Sequence, residues 1–145
     1  LKQVRGKQES AFPKYVVLRE RVLRGVEFIL QNGKQAGFRV ETLSVLSGSR
    51  TPFYNDNLEN TANSRHIYGD AADIFLDADH DGKMDDLDDD GDVDRNDVKI
   101  LYDLIDRLSG HEEFQPFTGG LGLYKKTAAH NGFVHIDTRG VKARW

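Results

Sequence analysis

Three side chains far apart in the sequence have the types needed to hold a catalytic metal. His66 and Asp73 stand seven residues apart in "SRHIYGDAADI" (64–74), and His135 lies in "GFVHIDTRG" (132–140). Alternate residues of a strand share a face. The second segment read as a strand therefore points Phe133, His135 and Asp137 one way, and sends Val134 and Ile136 into the core. His135 and Asp137 would then stand about 6.6 Å apart along the strand, on an accessible face. His66 precedes a turn at Gly69, and Asp73 lies in the strand that follows. If the two strands are neighbours, His66, Asp73 and His135 converge. Two imidazoles and one carboxylate are a common catalytic zinc set, with a fourth position open to water. Such an ion lowers the pKa of its water toward 7 and polarises a carbonyl. Spacing alone leaves a surface His–Asp contact as the alternative.

A second group of potential ligands is denser. Residues 77–97 contain eleven aspartates against Lys83 and Arg95, a local charge of −9 in a chain of net −4, so the remainder carries about +5. The pattern D-x-D-x-D-G occurs twice, as Asp77, Asp79, Asp81, Gly82 and as Asp86, Asp88, Asp90, Gly91. The second copy fits an EF-hand-like loop, with Asp94 at position nine and Asp97 at position twelve. Alternating carboxylates wrap a hard cation in oxygen ligands, and the glycine permits the sharp turn. Asp in place of Glu at position twelve predicts a smaller or weaker site. The first loop needs Asp88 as its last ligand, which the second also claims, so sharing resembles that of thrombospondin-type calcium repeats. The expected role is structural: one or two Ca2+ ions fold an insertion that otherwise repels itself. The alternative is a solvated acidic loop.

Around these groups the apolar pattern predicts a small α+β domain. Residues Tyr15, Leu18, Val22, Val26 and Ile29 recur at helical spacing, giving a helix over 13–31 with Pro13 near its start and Gly33 just past its end. Residues 1–12 read as an irregular arm. Residues 38–47 read as a strand whose alternation shifts phase after Val40, predicting a bulge. Residues 47–55 read as loop and 71–76 as a buried strand. Residues 97–108 read as a second helix, with 119–124 and 133–137 completing the sheet. The 145 residues form one domain, 1–145, with 77–97 inserted in it.

Composition narrows the class. The chain is 38% apolar and 30% charged, in the globular range. No apolar run approaches the roughly 20 residues that span a bilayer, so no membrane insertion is expected. The mild positive balance outside the acidic segment does not argue for nucleic acid. Cysteine is absent, which excludes disulfides and thiolate-ligated zinc. The chain starts at Leu1, consistent with an export signal that has been removed. Weak calcium loops suit a calcium-rich periplasmic or extracellular setting.

Taken in order, "SGSRTPFYN", "SRHIYGDAADI", "GGLGLY" and "GFVHIDTRG" resemble the zinc D-alanyl-D-alanine peptidases, especially their small cell-wall-hydrolase branch. That family carries an S-G-x-R-[ST] loop (here Ser47, Gly48, Arg50, Thr51), an S-x-H-x-x-G-x-A-x-D segment (Ser64, His66, Gly69, Ala71, Asp73) and a later H-x-D strand (His135, Asp137). The resemblance spans about 46–145. It implies a mostly antiparallel sheet with packed helices, zinc held by His66, Asp73 and His135, and hydrolysis of a peptide bond of the peptidoglycan stem or cross-link by attack of zinc-bound water. It also implies that Arg50 stabilises the oxyanion near the scissile carbonyl. Ser64 contacts substrate or caps its turn. Where several relatives place a Glu, three residues before the last histidine, this chain has Gly132. Others place a histidine where His130 stands, and His130 is the preferred general base. Asp137 is the competing base, or a partner that orients His135. The hedgehog signalling domain, which resembles these peptidases and binds zinc and calcium, supplies the alternative of a non-catalytic binding module.

Overall fold

The computed structural model describes residues 17–37, 42–58 and 60–145. The expected arm over 1–12, the helix start at Pro13 and Tyr15, and Phe38 and Val40 lie outside them.

Five strands form one mixed sheet: β1 (Leu43–Ser47), β2 (Ala71–Leu76), β3 (Gly120–Tyr124), β4 (Phe133–Asp137) and β5 (Ala143–Arg144), in the order β1-β2-β4-β3-β5. All pairings are antiparallel except β3 with β5. The helices are α1 (Glu20–Gln35), α2 (Pro52–Asn57) and α3 (Arg95–Leu108). Short 3-10 turns occupy Arg65–Tyr68 and Glu112–Phe117. The protein is thus α+β. Among the described residues, no helix is long and apolar enough to cross a membrane.

The core lies between the sheet and the pair α1 and α3. Val22, Val26 and Ile29 of α1 and Val98, Leu101 and Ile105 of α3 are buried against Ile74, Leu121, Val134 and Ile136. Full burial of such side chains contributes roughly 1.5–3 kcal/mol each before the entropy of ordering them. α1 runs four residues past the expected end at Gln31, through Gly33. That glycine lies on the buried face, where a Cβ would come 3.5 Å from Leu104. The helix gives way at Gly37, whose φ of +90° suits a residue without Cβ.

Three further differences have local causes. Residues 47–55 were expected to be loop, but Thr51 caps α2 by accepting the Tyr54 N–H, and Pro52 begins the helix. The β1 irregularity falls between Val45 and Ser47. β5 and the 3-10 turn Glu112–Phe117 carry no periodic pattern, and the sequence reading did not include them. α3 starts at Arg95, two residues early, because Asp94 and Asp97 form a reciprocal capping box.

Candidate metal centre

Register brings the first group together. Asp73 on β2 is directly opposite His135 on β4. His66 arrives from the 3-10 turn that ends at Gly69, with φ +65°. Asp70 locks this entry to the end of β4, because it accepts the Thr138 hydroxyl while its carbonyl accepts the Thr138 N–H at 3.1 Å. His66 Nε2, His135 Nδ1 and Asp73 Oδ1 form a closed triangle: His66 to His135 3.2 Å, His66 to Asp73 3.2 Å, His135 to Asp73 2.9 Å. A tetrahedral zinc with ligands near 2.05 Å has ligand–ligand edges of about 3.3 Å.

Each of the three donors is aimed by a second partner. His66 Nδ1–H donates to the Gly48 carbonyl at 2.7 Å. His135 Nε2–H donates to Asp137 Oδ2 at 3.3 Å. Arg50 Nη2 donates to the other Asp73 oxygen at 2.5 Å, while its Nε donates to Ser47 Oγ at 2.8 Å. These bonds assign the tautomers. With both rings neutral, His66 Nε2 and His135 Nδ1 are bare lone pairs that face a carboxylate oxygen, with no hydrogen between any two of the three. Such a cluster needs a positive centre, either a proton or a metal ion. Where that centre is a proton, hydrogen bonds and charge from His135 and His66 outweigh the burial that pushes the Asp73 carboxyl up, and hold it far below the ordinary range. Burial pushes His135 down, and its bonds to Asp137 and Asp73 more than reverse this, leaving it raised.

The face that holds the site is covered, contrary to expectation: His135 is only 8% exposed. Glycines on β3 make the cover possible. Gly122 pairs with His135, and a Cβ there would meet Trp145 Nε1 at 2.4 Å. Trp145 therefore folds across the strand, its ring centroid 5.4 Å from that of His135. Its indole N–H donates to the Tyr124 hydroxyl at 2.8 Å.

Asp137 is fully engaged. Its carboxylate accepts from Gly120 N at 2.9 Å, from the Arg139 backbone at 3.1 Å, from the Arg139 guanidinium and from His135. Burial works against its ionised form, yet these bonds hold its carboxyl well below the usual carboxylate range. The geometry suits an orienting group more than a free base. Arg50, expected beside a scissile carbonyl, is largely buried and engaged with Asp73. His130 makes no hydrogen bond to the three ligands among the described residues. Its Nδ1 bonds the Asn131 carbonyl at 2.7 Å, and its ring stands edge-on to Phe133. Ser64 precedes the 3-10 turn without a side-chain capping bond. Gly132 has no room for a side chain, since a Cβ would lie 2.4 Å from Val98. Sequence reasoning missed Arg139, whose only signal is its place two residues after Asp137, and Trp145, which had none.

The acidic segment forms two clusters, Asp77 with Asp79 and Asp85, and Asp86 with Asp88 and Asp97. The backbone repeats at nine residues. His80 and Asp89 both have positive φ, as do Gly82 and Gly91. Asp77 accepts the Gly82 N–H and Asp86 the Gly91 N–H. Three expected ligands stand apart from these clusters. Asp81 pairs with Lys83, Asp90 accepts the Asp92 N–H, and Asp94 caps α3. Asp85, at position nine of the first loop, was legible from the same register that picked Asp94. Asp77 is buried and accepts the Ser44 hydroxyl at 2.9 Å, which ties the insertion to β1.

Comparison with protein families, curated proteins and solved structures returns no match to this chain.

Proposed function

We propose that the protein is a zinc-dependent peptidase of the D-alanyl-D-alanine peptidase type that hydrolyses peptide bonds of bacterial peptidoglycan, as a carboxypeptidase or endopeptidase, in the periplasm or outside the cell. The observation that carries this reading is the convergence of three bare donors, two imidazole nitrogens and one carboxylate oxygen, each aimed by its own hydrogen bond. His66, Asp73 and His135 would hold the ion, and the donor set fits zinc with one position left open. When bound, zinc supplies a Lewis acid that polarises a carbonyl and brings the pKa of water toward neutrality.

The chain's own groups do the rest. Gly48 and Asp137 keep the two imidazole lone pairs directed at one point, and Arg139 holds Asp137 in place. Arg50 fixes the orientation of Asp73 and brings a permanent positive charge to the edge of the site. Trp145 shields one side of His135 from water. Of the two candidate bases, Asp137 has its oxygens occupied, whereas among the described residues His130 bonds only through Nδ1, to the Asn131 carbonyl, and Nε2 is the atom that would serve as base. The aspartate clusters of 77–97 would hold structural Ca2+, with Asp77, Asp79 and Asp85 for one ion and Asp86, Asp88 and Asp97 for another.

The lack of an unengaged carboxylate at the triad among the described residues favours the second reading, a zinc- and calcium-bound binding module. Metal analysis of the purified protein comes first: about one zinc is expected, lost in His135→Ala. A His135→Ala protein that keeps its zinc overturns the metal centre. Mass spectrometry of digested peptidoglycan then decides between the readings. Released D-alanine or cleaved muropeptides mark the peptidase, and intact substrate with zinc bound marks the module.

A further inference from the structure

A groove of about 620 Å³ opens beside Trp145, whose ring centroid stands 5.4 Å from that of His135. Its volume is that of a site for a ligand of a few residues. One wall is α3, which contributes Arg95, Lys99 and Tyr102, and the other carries Lys125 and His130. Tyr124, stacked on Phe133 at 4.8 Å, and the half-exposed Trp145 line it as well. Trp145 thus touches both the groove and the third candidate ligand, His135, which does not itself line the groove.

The charge of this lining is uneven. Three fixed cations face one acid, Asp103, and Asp103 is already paired with Lys99 on the next turn of α3. Among the described residues neither Arg95 nor Lys125 has an ion-pair partner, and both are exposed. Arg95 also occupies the first turn of α3, where the helix dipole favours acidic side chains and disfavours a cation. Helix stability therefore does not account for it. Immediately upstream, ten of the eighteen residues 77–94 are aspartates, so an anionic ligand is repelled there and attracted to the cations of the groove. Aromatic rings beside the cations suit a peptide backbone and its side chains better than a bare inorganic anion.

We propose that this groove receives the carboxylate-bearing part of a peptide substrate, so that the protein selects stem peptides whose carboxyl groups are free over those that are amidated. Arg95 and Lys125 are then specificity residues, and bound peptide extends from the groove past Trp145 to the metal centre. This rests on the peptidase reading for its substrate class, but not for the binding itself.

Trp145 is the single tryptophan of the chain, so its fluorescence reports on the groove. The probes are the pentapeptide L-Ala-γ-D-Glu-L-Lys-D-Ala-D-Ala, the same peptide with both carboxyls amidated, and inorganic phosphate at matched ionic strength. Each is titrated into wild type and into Arg95→Gln/Lys125→Gln, with melting curves to verify folding and zinc content measured separately. The free acid should give a saturable change that is roughly tenfold weaker in the double variant, as expected for two charge-assisted hydrogen bonds from exposed side chains. The diamide should bind wild type about as weakly as the free acid binds the variant. Equal binding of acid and diamide, a folded double variant that binds the acid like wild type, or phosphate that saturates the same response as tightly each overturns the proposal. A protein that holds zinc but shows no acid preference loses only the groove. One that prefers the acid without holding zinc loses only the metal reading.

Discussion

Replacing Asp137 by Asn tests whether hydrogen bonding selects the metal-binding tautomer of His135. The side chain keeps its size, but one oxygen becomes an NH2 donor. Oδ1 accepts from Gly120 N at 2.9 Å and the Arg139 backbone at 3.1 Å, so the remaining amide oxygen keeps that position. The new amide then stands where Oδ2 accepted from Arg139 Nη2 at 2.5 Å and from His135 Nε2 at 3.3 Å. Two donors would face a donor. The imidazole can relieve its conflict by moving its proton to Nδ1, the atom that faces His66 and Asp73, and that tautomer cannot ligate there. Loss of such an orienting carboxylate weakens metal binding by about 10- to 100-fold, or about 1.4–2.8 kcal/mol. Zinc affinity is read by competition with a chromophoric chelator, wild type beside Asp137→Asn, with melting curves of both metal-free proteins. An Asn variant that is folded and binds zinc as tightly as wild type would refute the argument that Asp137 sets the tautomer.

The remaining expectations concern the base, the calcium loops and one ion pair. His130→Ala should lower turnover on peptidoglycan by roughly 10²–10⁴ while zinc stays bound; near-normal turnover by steady-state assay would remove it as the base. Calorimetric titration with Ca2+ should show Asp88→Asn weakened more than Asp90→Asn, because Asp88 stands with Asp86 and Asp97 whereas Asp90 does not. The reverse order would restore the ligand set expected from spacing. Calcium should also raise the melting temperature by mass action. The Arg144 guanidinium beside Asp106, with burial opposing and Lys142 assisting, holds the Asp106 carboxyl below its ordinary 3.8. A depressed folded pKa contributes stability that is present above the unfolded value and lost as pH falls through the folded one. The melting difference between wild type and Asp106→Asn should therefore be full near neutral pH and close below 3.8; a pH-independent gap would show that the loss is not electrostatic.

Period and punctuation in the sequence were enough to define β2, β3 and β4, because each combines a short apolar run with flanking turn residues and needs no distant partner to be recognised. They also placed Asp73, His135 and Asp137 on strands and His66 at a turn. The duplicated D-x-D-x-D-G pattern likewise revealed both aspartate loops, since a turn of this kind is encoded by its own residues. Sequence could not decide which strands are neighbours, and the triad depends on that: only the β2–β4 register sets Asp73 opposite His135. Nor could it assign the side-chain oxygens of the acidic segment, where Asp85 joins a cluster and Asp81 turns to Lys83, because the choice is made by competing contacts within a few ångströms. Arg50 and Trp145 show the same limit: Arg50 takes its position from Asp73, distant in sequence, and Trp145 from room left by Gly122 on another strand. Local chemistry is written residue by residue, whereas the direction of a lone pair is set by whatever the tertiary fold packs behind it.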